Sequence, residues 1–190
     1  MMADGFIPPH GGYKDLLSYK KAVIIYDATV YFCDRFYKQN YKITDQMIGA
    51  ARSGKQNIGE GSVNSGTSKE TEIKLTNVAR GSLQELLEDY QDFLRTRKFS
   101  LWDKDHKNSL IIRKLGYGEH VSYVIYRSYI ENESPEISAN TIICLLHQTN
   151  FLLDQLIRKL EKDFLENGGL RERMMRARLK TRSLQDGEEA

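Results

Sequence analysis

Apolar residues recur at spacings of three and four through four long segments of this chain, and only three prolines interrupt its 190 residues. This pattern constrains the fold more than any motif does, because a 3.6-residue period places positions i, i+3, i+4 and i+7 on one helix face. Residues 14–38 carry Leu16, Tyr19, Ala22, Val23, Tyr26, Val30, Cys33 and Tyr37 in that rhythm. Ile24, Ile25, Ala28, Tyr31 and Phe32 widen the apolar face beyond what one partner helix covers. A second contact surface is therefore expected, and self-association would supply one.

The second segment, about 44–61, is built from small residues, with Thr44 and Asp45 as its expected start. At about 100° per residue, Gln46, Ala50, Ser53, Asn57 and Glu60 share one direction, while Met47, Ala51, Gly54 and Ile58 form the adjoining side. Small side chains let a neighbouring helix approach closely, at a cost of about 1 kcal/mol in helix propensity for each glycine relative to alanine. The polar stripe reads either as a binding surface or as a hydrogen-bond network that fixes helix register, and the network is the reading we favour.

Gly61 and Gly66 have the glycine spacing of a phosphate-binding loop, but Thr67 stands where that loop needs lysine and a helix, not a strand, precedes it. The glycines instead are expected to end the second helix through a left-handed cap, with Thr67 to Glu70 as the capping box of the third. That third helix, about 68–97, carries Ile73, Leu75, Val78, Ala79, Leu83, Leu86, Tyr90, Phe93 and Leu94. Gly81 and Ser82 in its middle mark another point of close approach. Residues 98–134 are less regular and read as short helices around Gly116 and Gly118, although SYVIYRSYIEN is aromatic and β-branched enough for a strand. Ser134-Pro135-Glu136 opens a fourth long helix that runs to about Asn167, where Gly168-Gly169 closes it.

Four long amphipathic helices with mostly short links predict an all-α fold: an antiparallel up-and-down four-helix bundle with extra short helices between the third and fourth. The organisation is an N-terminal tail at 1–13, the bundle at 14–167 with an irregular insertion at 98–134, and an Arg-rich suffix at 168–190. The net charge of +2 hides that asymmetry. The suffix holds Arg171, Arg173, Arg176, Arg178, Lys180 and Arg182, and the rest of the chain carries equal numbers of each sign.

Catalysis has no visible seat. The four histidines, His10, His106, His120 and His147, are scattered, and neither Glu-x-x-His nor Gly-x-Ser-x-Gly occurs. Cys144 and His147 could place two metal ligands one turn apart, yet no second pair accompanies them, so we expect no metal and no cofactor. Cys33 and Cys144 read as thiols of a reducing compartment. No signal peptide and no apolar run of about 18 residues is evident, so a cytoplasmic protein without membrane contact is expected.

The pattern Gln46, Ala50, Ala51, Ser53, Asn57, Ile58, Gly59, Glu60, Gly61, followed by Ala79, Arg80, Gly81, Ser82, Leu83, Gln84, Glu85, Leu86, resembles a bacterial four-helix-bundle family. Its members include the proteins encoded by intervening sequences in large-subunit ribosomal RNA genes, and accessory variability proteins of diversity-generating retroelements look like relatives. The resemblance is specific over residues 44–90 and architectural in the fourth helix. It implies a bundle assembled into a ring-like homopentamer that binds nucleic acid, with reverse transcriptase as the partner in the retroelement branch. This chain departs from it at Gly59, where Ala is commoner, and in its Arg-rich end, which looks like the suffix of one subgroup.

The expected function is therefore a non-enzymatic, self-associating bundle that binds RNA or DNA through phosphate contacts. A protein-interaction scaffold, or accessory subunit of a nucleic-acid enzyme, is the alternative. The suffix cations suit phosphate, arginine bidentately, with Met174, Met175 and Leu179 docking the segment on the bundle. Arg52, Lys55 and Lys69, flanking the small-residue helix, are further candidates. Gln46, Ala50, Ser53, Asn57, Glu60, Gly61, Gly81, Ser82 and Glu85 form the structural motif.

Overall fold

A computed structural model of the chain describes residue 7 and residues 10–38, 40–117 and 121–188. Gly118 and His120 lie outside the described residues, as does most of the N-terminal tail. A 3-10 turn at Tyr13–Asp15 leads into seven α-helices among the described residues: α1 (Leu17–Phe36), α2 (Tyr41–Asn64), α3 (Lys69–Thr96), α4 (Lys107–Leu115), α5 (Tyr123–Ile130), α6 (Pro135–Asn167) and α7 (Leu170–Glu188).

The long helices α1, α2, α3 and α6 form the bundle, each packed on two neighbours in the order α1, α2, α3, α6 and back to α1. Gln46 meets Asp89, Ser53 meets Ser82 and Gly61 meets Glu72, so residue numbers rise along α2 as they fall along α3. Arg80 with Asp154 and Gln84 with Asn150 show the same opposed direction for α3 and α6. The core lies between the four helices: Ile25, Ala28 and Phe32 from α1, Met47 and Ile58 from α2, Leu83, Leu86 and Tyr90 from α3, Ile142, Leu146 and Leu153 from α6. At one end Phe32 stands edge-on to both Tyr90 and Phe93, with ring centroids 5.0 and 4.8 Å away, a geometry that aligns ring edges with ring faces.

The helix boundaries correct the sequence reading in three places. α2 starts three residues before Thr44, with Asn40 as the N-cap accepting from the Ile43 N–H at 3.4 Å. Gly61 does not end α2. It lies buried inside the helix, where a Cβ would stand 3.3 Å from the Glu72 carbonyl oxygen and 3.4 Å from Leu75 Cβ. Neither Gly61 nor Gly66 has positive φ, so the left-handed cap does not form, and Ser65 ends the helix in the right-handed region. The third correction concerns the cap of α3. Ser68, not Thr67, accepts from the Thr71 N–H at 3.1 Å, while Thr67 donates back to the Asn64 carbonyl and Glu70 pairs with Lys74 at 2.6 Å. One residue of displacement follows from how the chain leaves α2, since both hydroxyls are competent caps.

The irregular segment resolves as the two short helices α4 and α5, both against α6, with α5 also touching α1. Much of the wide face of α1 is thereby covered inside the chain, by α2, α6 and α5, while Val30 stays exposed and Tyr19, Val23, Tyr26 and Tyr31 half-buried. Two buried polar residues hold this layer. Asn140, 1% exposed, accepts from the Trp102 N–H at 2.8 Å and donates to the Ser100 and Glu136 carbonyls, both at 2.9 Å. Lys21, also 1% exposed, donates to Gln148 Oε1 at 2.6 Å and lies 5.9 Å from the Tyr126 ring centroid. A Cβ at Gly116 would collide with both Lys21 Nζ and Gln148 Oε1, and the Arg113 carbonyl lies 3.3 Å from the same point. The ammonium thus sits by the C-terminal end of α4, where free carbonyls favour a cation. Burial nevertheless pulls its pKa down to about 8.

Candidate nucleic-acid interface

α7 follows α6 after a glycine joint. Gly168 has φ 68°, a conformation that glycine adopts without strain. The first turn of α7 is then tied down by Glu172, whose Oε2 accepts from the Gly169 N–H at 3.0 Å, and by Arg176, which donates to the Asn167 carbonyl. Among the described residues, no other helix packs along α7. The sequence reading had its apolar residues dock on the bundle; instead Met174 and Met175, with Leu179 and Leu184, are exposed.

The six basic residues of this segment share one helix. Arg171, Arg176, Arg178, Lys180 and Arg182 are exposed, and Arg173 is half-buried with Nη2 directed at the Gly66 carbonyl, 3.4 Å away. Among the described residues, no carboxylate lies within 4.0 Å of any of the six. The charge of the five exposed residues is therefore available to an external anion, whereas Arg173 also acts on Asp163 inside the fold.

The cations flanking the small-residue helix differ. Lys69 bridges Glu72 at 3.1 Å and Asp163 at 3.2 Å. Asp163 is held below the usual carboxylate range by the Asn167 amide first, with Lys69 and Arg173 adding to it. Lys55 lies over the Tyr26 ring, 4.0 Å from its centroid. Arg52 is exposed. Only Lys69 is close to α7, through the Asp163 carboxylate that it shares with Arg173, so the candidate cations do not merge into one patch.

The polar stripe of α2 is partly a network. Ser53 and Ser82 share a hydrogen bond of 3.0 Å between α2 and α3, the Asn57 amide donates to the Ser53 carbonyl and hydroxyl at 2.9 and 3.1 Å, and Gln46 donates to Asp89 at 3.3 Å. Ala50 is half-buried beside them, whereas Glu60, Gly81 and Glu85 are exposed. Gly81 has nothing within 4 Å of where a Cβ would lie, so among the described residues no other element approaches it.

Cys144 and His147 border a cleft of about 280 Å³ with Trp102, Ser109, Arg113 and Gln148. The thiol donates to Ser109 Oγ at 3.7 Å, its pKa raised chiefly by burial. Among the described residues, no three His, Cys, Asp or Glu side chains are grouped to hold one metal ion, and no helix is long and apolar enough to cross a membrane. No family model, no curated protein and no solved structure matches this chain.

Proposed function

We propose that this chain is a non-enzymatic helical-bundle protein that binds nucleic acid through phosphate contacts made by α7. One observation carries the reading: among the described residues, six cations stand on a helix along which no other helix packs, and no carboxylate lies within 4.0 Å of any of them. Each phosphate neutralised releases counterions, so affinity falls steeply as salt rises. Labelled RNA and DNA should shift in a mobility assay at low salt, and truncation after Gly169 should abolish the shift. The core contains no α7 residue, so the truncated bundle keeps its fold. If truncation leaves the shift intact, or if neither nucleic acid shifts at low salt, the reading fails.

The resemblance of residues 44–90 to the ribosomal RNA intervening-sequence proteins supports a cytoplasmic homo-oligomer, with a ring-like pentamer as its form. In a ring, five copies of α7 would multiply the local positive potential. Light scattering decides this part: a monomer removes it.

A second reading is favoured by the apolar residues of α7. A helix that only met phosphates would have no use for exposed Met174, Met175, Leu179 and Leu184. In this reading the chain is an accessory subunit or scaffold, and α7 docks it on another protein, such as a nucleic-acid enzyme.

A further inference from the structure

Met175 and Leu179 lie on the far side of α7, but its other apolar residues share one stripe. Leu170, Met174, Ala177, Thr181 and Leu184 follow one another at alternating spacings of four and three, the register of a coiled-coil seam. Ala177 and Thr181 are small, and the surface beside them dips into a depression lined by Met174, Met175, Ala177, Arg178 and Thr181. A larger apolar side chain from a facing helix fits such a notch as a knob fits a hole.

The residues that flank the seam decide what can face it. Arg171 and Arg178 lie along one border, Arg173 and Lys180 along the other. These are the positions whose charges meet across a helix pair. Two copies of α7 side by side in parallel would set Arg173 of one against Arg178 of the other. Antiparallel, the same flanks would oppose arginine to arginine and Arg173 to Lys180. Like charges meet in either orientation, so the seam rejects its own copy, and among the described residues no carboxylate lies within 4.0 Å of the four flanking cations.

We infer that α7 is one half of a heterotypic coiled coil, and that its partner is a helix with an apolar seam flanked by Asp or Glu. This inference rests on the reading of α7 as a protein-docking element and specifies the partner's chemistry. Specificity here has two sources: attraction of acidic flanks to the basic ones, and repulsion that keeps α7 from pairing with itself.

The test uses full-length protein and synthetic helices of about three heptads with Leu at both seam positions and Glu, Gln or Lys at the flanks. Calorimetry should give saturable one-to-one binding of the Glu-flanked peptide, no binding of the Lys-flanked one, and much weaker binding of polyglutamate of equal charge. Met174→Ala with Leu184→Ala keeps helix propensity and every charge, and should weaken the Glu-flanked peptide about tenfold or more. Replacing Arg173, Arg178 and Lys180 by Glu should transfer the preference to the Lys-flanked peptide, with helicity checked by circular dichroism. Equal binding of polyglutamate and the Glu-flanked peptide, or an unchanged affinity in the double Ala variant, would mark α7 as a polyanion surface and overturn the inference. Preference for the Gln-flanked peptide would overturn the acidic partner while leaving protein docking in place. If no helical peptide binds, the inference and the docking reading both fail.

Discussion

Leu83 occupies the space that a side chain at position 54 would need: a Cβ on Gly54 would lie 2.6 Å from Leu83 Cδ2 and 2.7 Å from Cγ. Both residues are buried between α2 and α3. Gly54→Ala should therefore destabilise by about 1–3 kcal/mol, because the overpacking outweighs a helix-propensity gain of about 1 kcal/mol. Urea denaturation measures it. Leu83→Ala opens room, so the two changes combined should cost less than their separate effects added together. A Gly54→Ala protein as stable as the parent would show that α2 and α3 can slide apart at no cost.

Gly81 gives the opposite expectation. It is exposed in mid-helix with no atom near its missing side chain, so Gly81→Ala should stabilise an isolated chain by up to about 1 kcal/mol. The melting temperature should rise. A fall, accompanied by a smaller assembly in light scattering, would place another copy of the chain against this face.

Asn140 holds the segment between α3 and α4 by two hydrogen bonds from a buried position. Asn140→Leu would leave the Trp102 N–H and the Ser100 carbonyl without their partner, a loss on the order of 2–4 kcal/mol. Hydrogen exchange should quicken at Trp102 in particular. Unaltered protection there would mean that water replaces the amide without penalty.

Lys21 makes stability depend on pH. Its pKa falls from the model-peptide value of 10.5 to about 8 on folding, because burial disfavours the ammonium. The unfolded chain therefore binds more protons between those values, and stability rises with pH across that window. The penalty present below pH 8 is about 3 kcal/mol. The rise should stop near pH 9, because burial raises the pKa of Cys33 and Cys144, and at higher pH that of Tyr90 and Tyr126, above their ordinary values and unfolding then releases protons. Guanidinium midpoints from pH 7 to 10 measure the slope, and Lys21→Met should flatten it. A parent protein with no slope would mean that Lys21 keeps its hydration in the fold.

Much of the bundle was legible because periodicity is a local property of sequence. The apolar rhythm located all four long helices, and Ser134-Pro135 fixed the start of α6 because proline suits the first helical turn. Ser68 was misplaced by one residue because Thr67 carries the same hydroxyl, and the choice depends on which one the end of α2 engages. Gly61 was read as a stop when it serves close packing, a difference set by Glu72 and Leu75 on another helix. Lys21 gave no signal at all: in sequence it is one of two adjacent lysines, and only the layer of α4 and α5 buries it. The cations of α7 were visible in the sequence, but its separation from the bundle was not, since Met174 and Leu179 look the same docked or exposed.

The glycine joint at Gly168 separates two kinds of evolutionary constraint. Substitutions in α1 to α6 must satisfy a shared interior, where each change is judged against several neighbours. Beyond Arg176, α7 faces no such judgement, so its charge can be rewritten almost independently of fold stability. If α7 binds as proposed, a lineage could change its partner by altering this one helix, and an engineer could do the same by replacing the residues of α7 after Gly169.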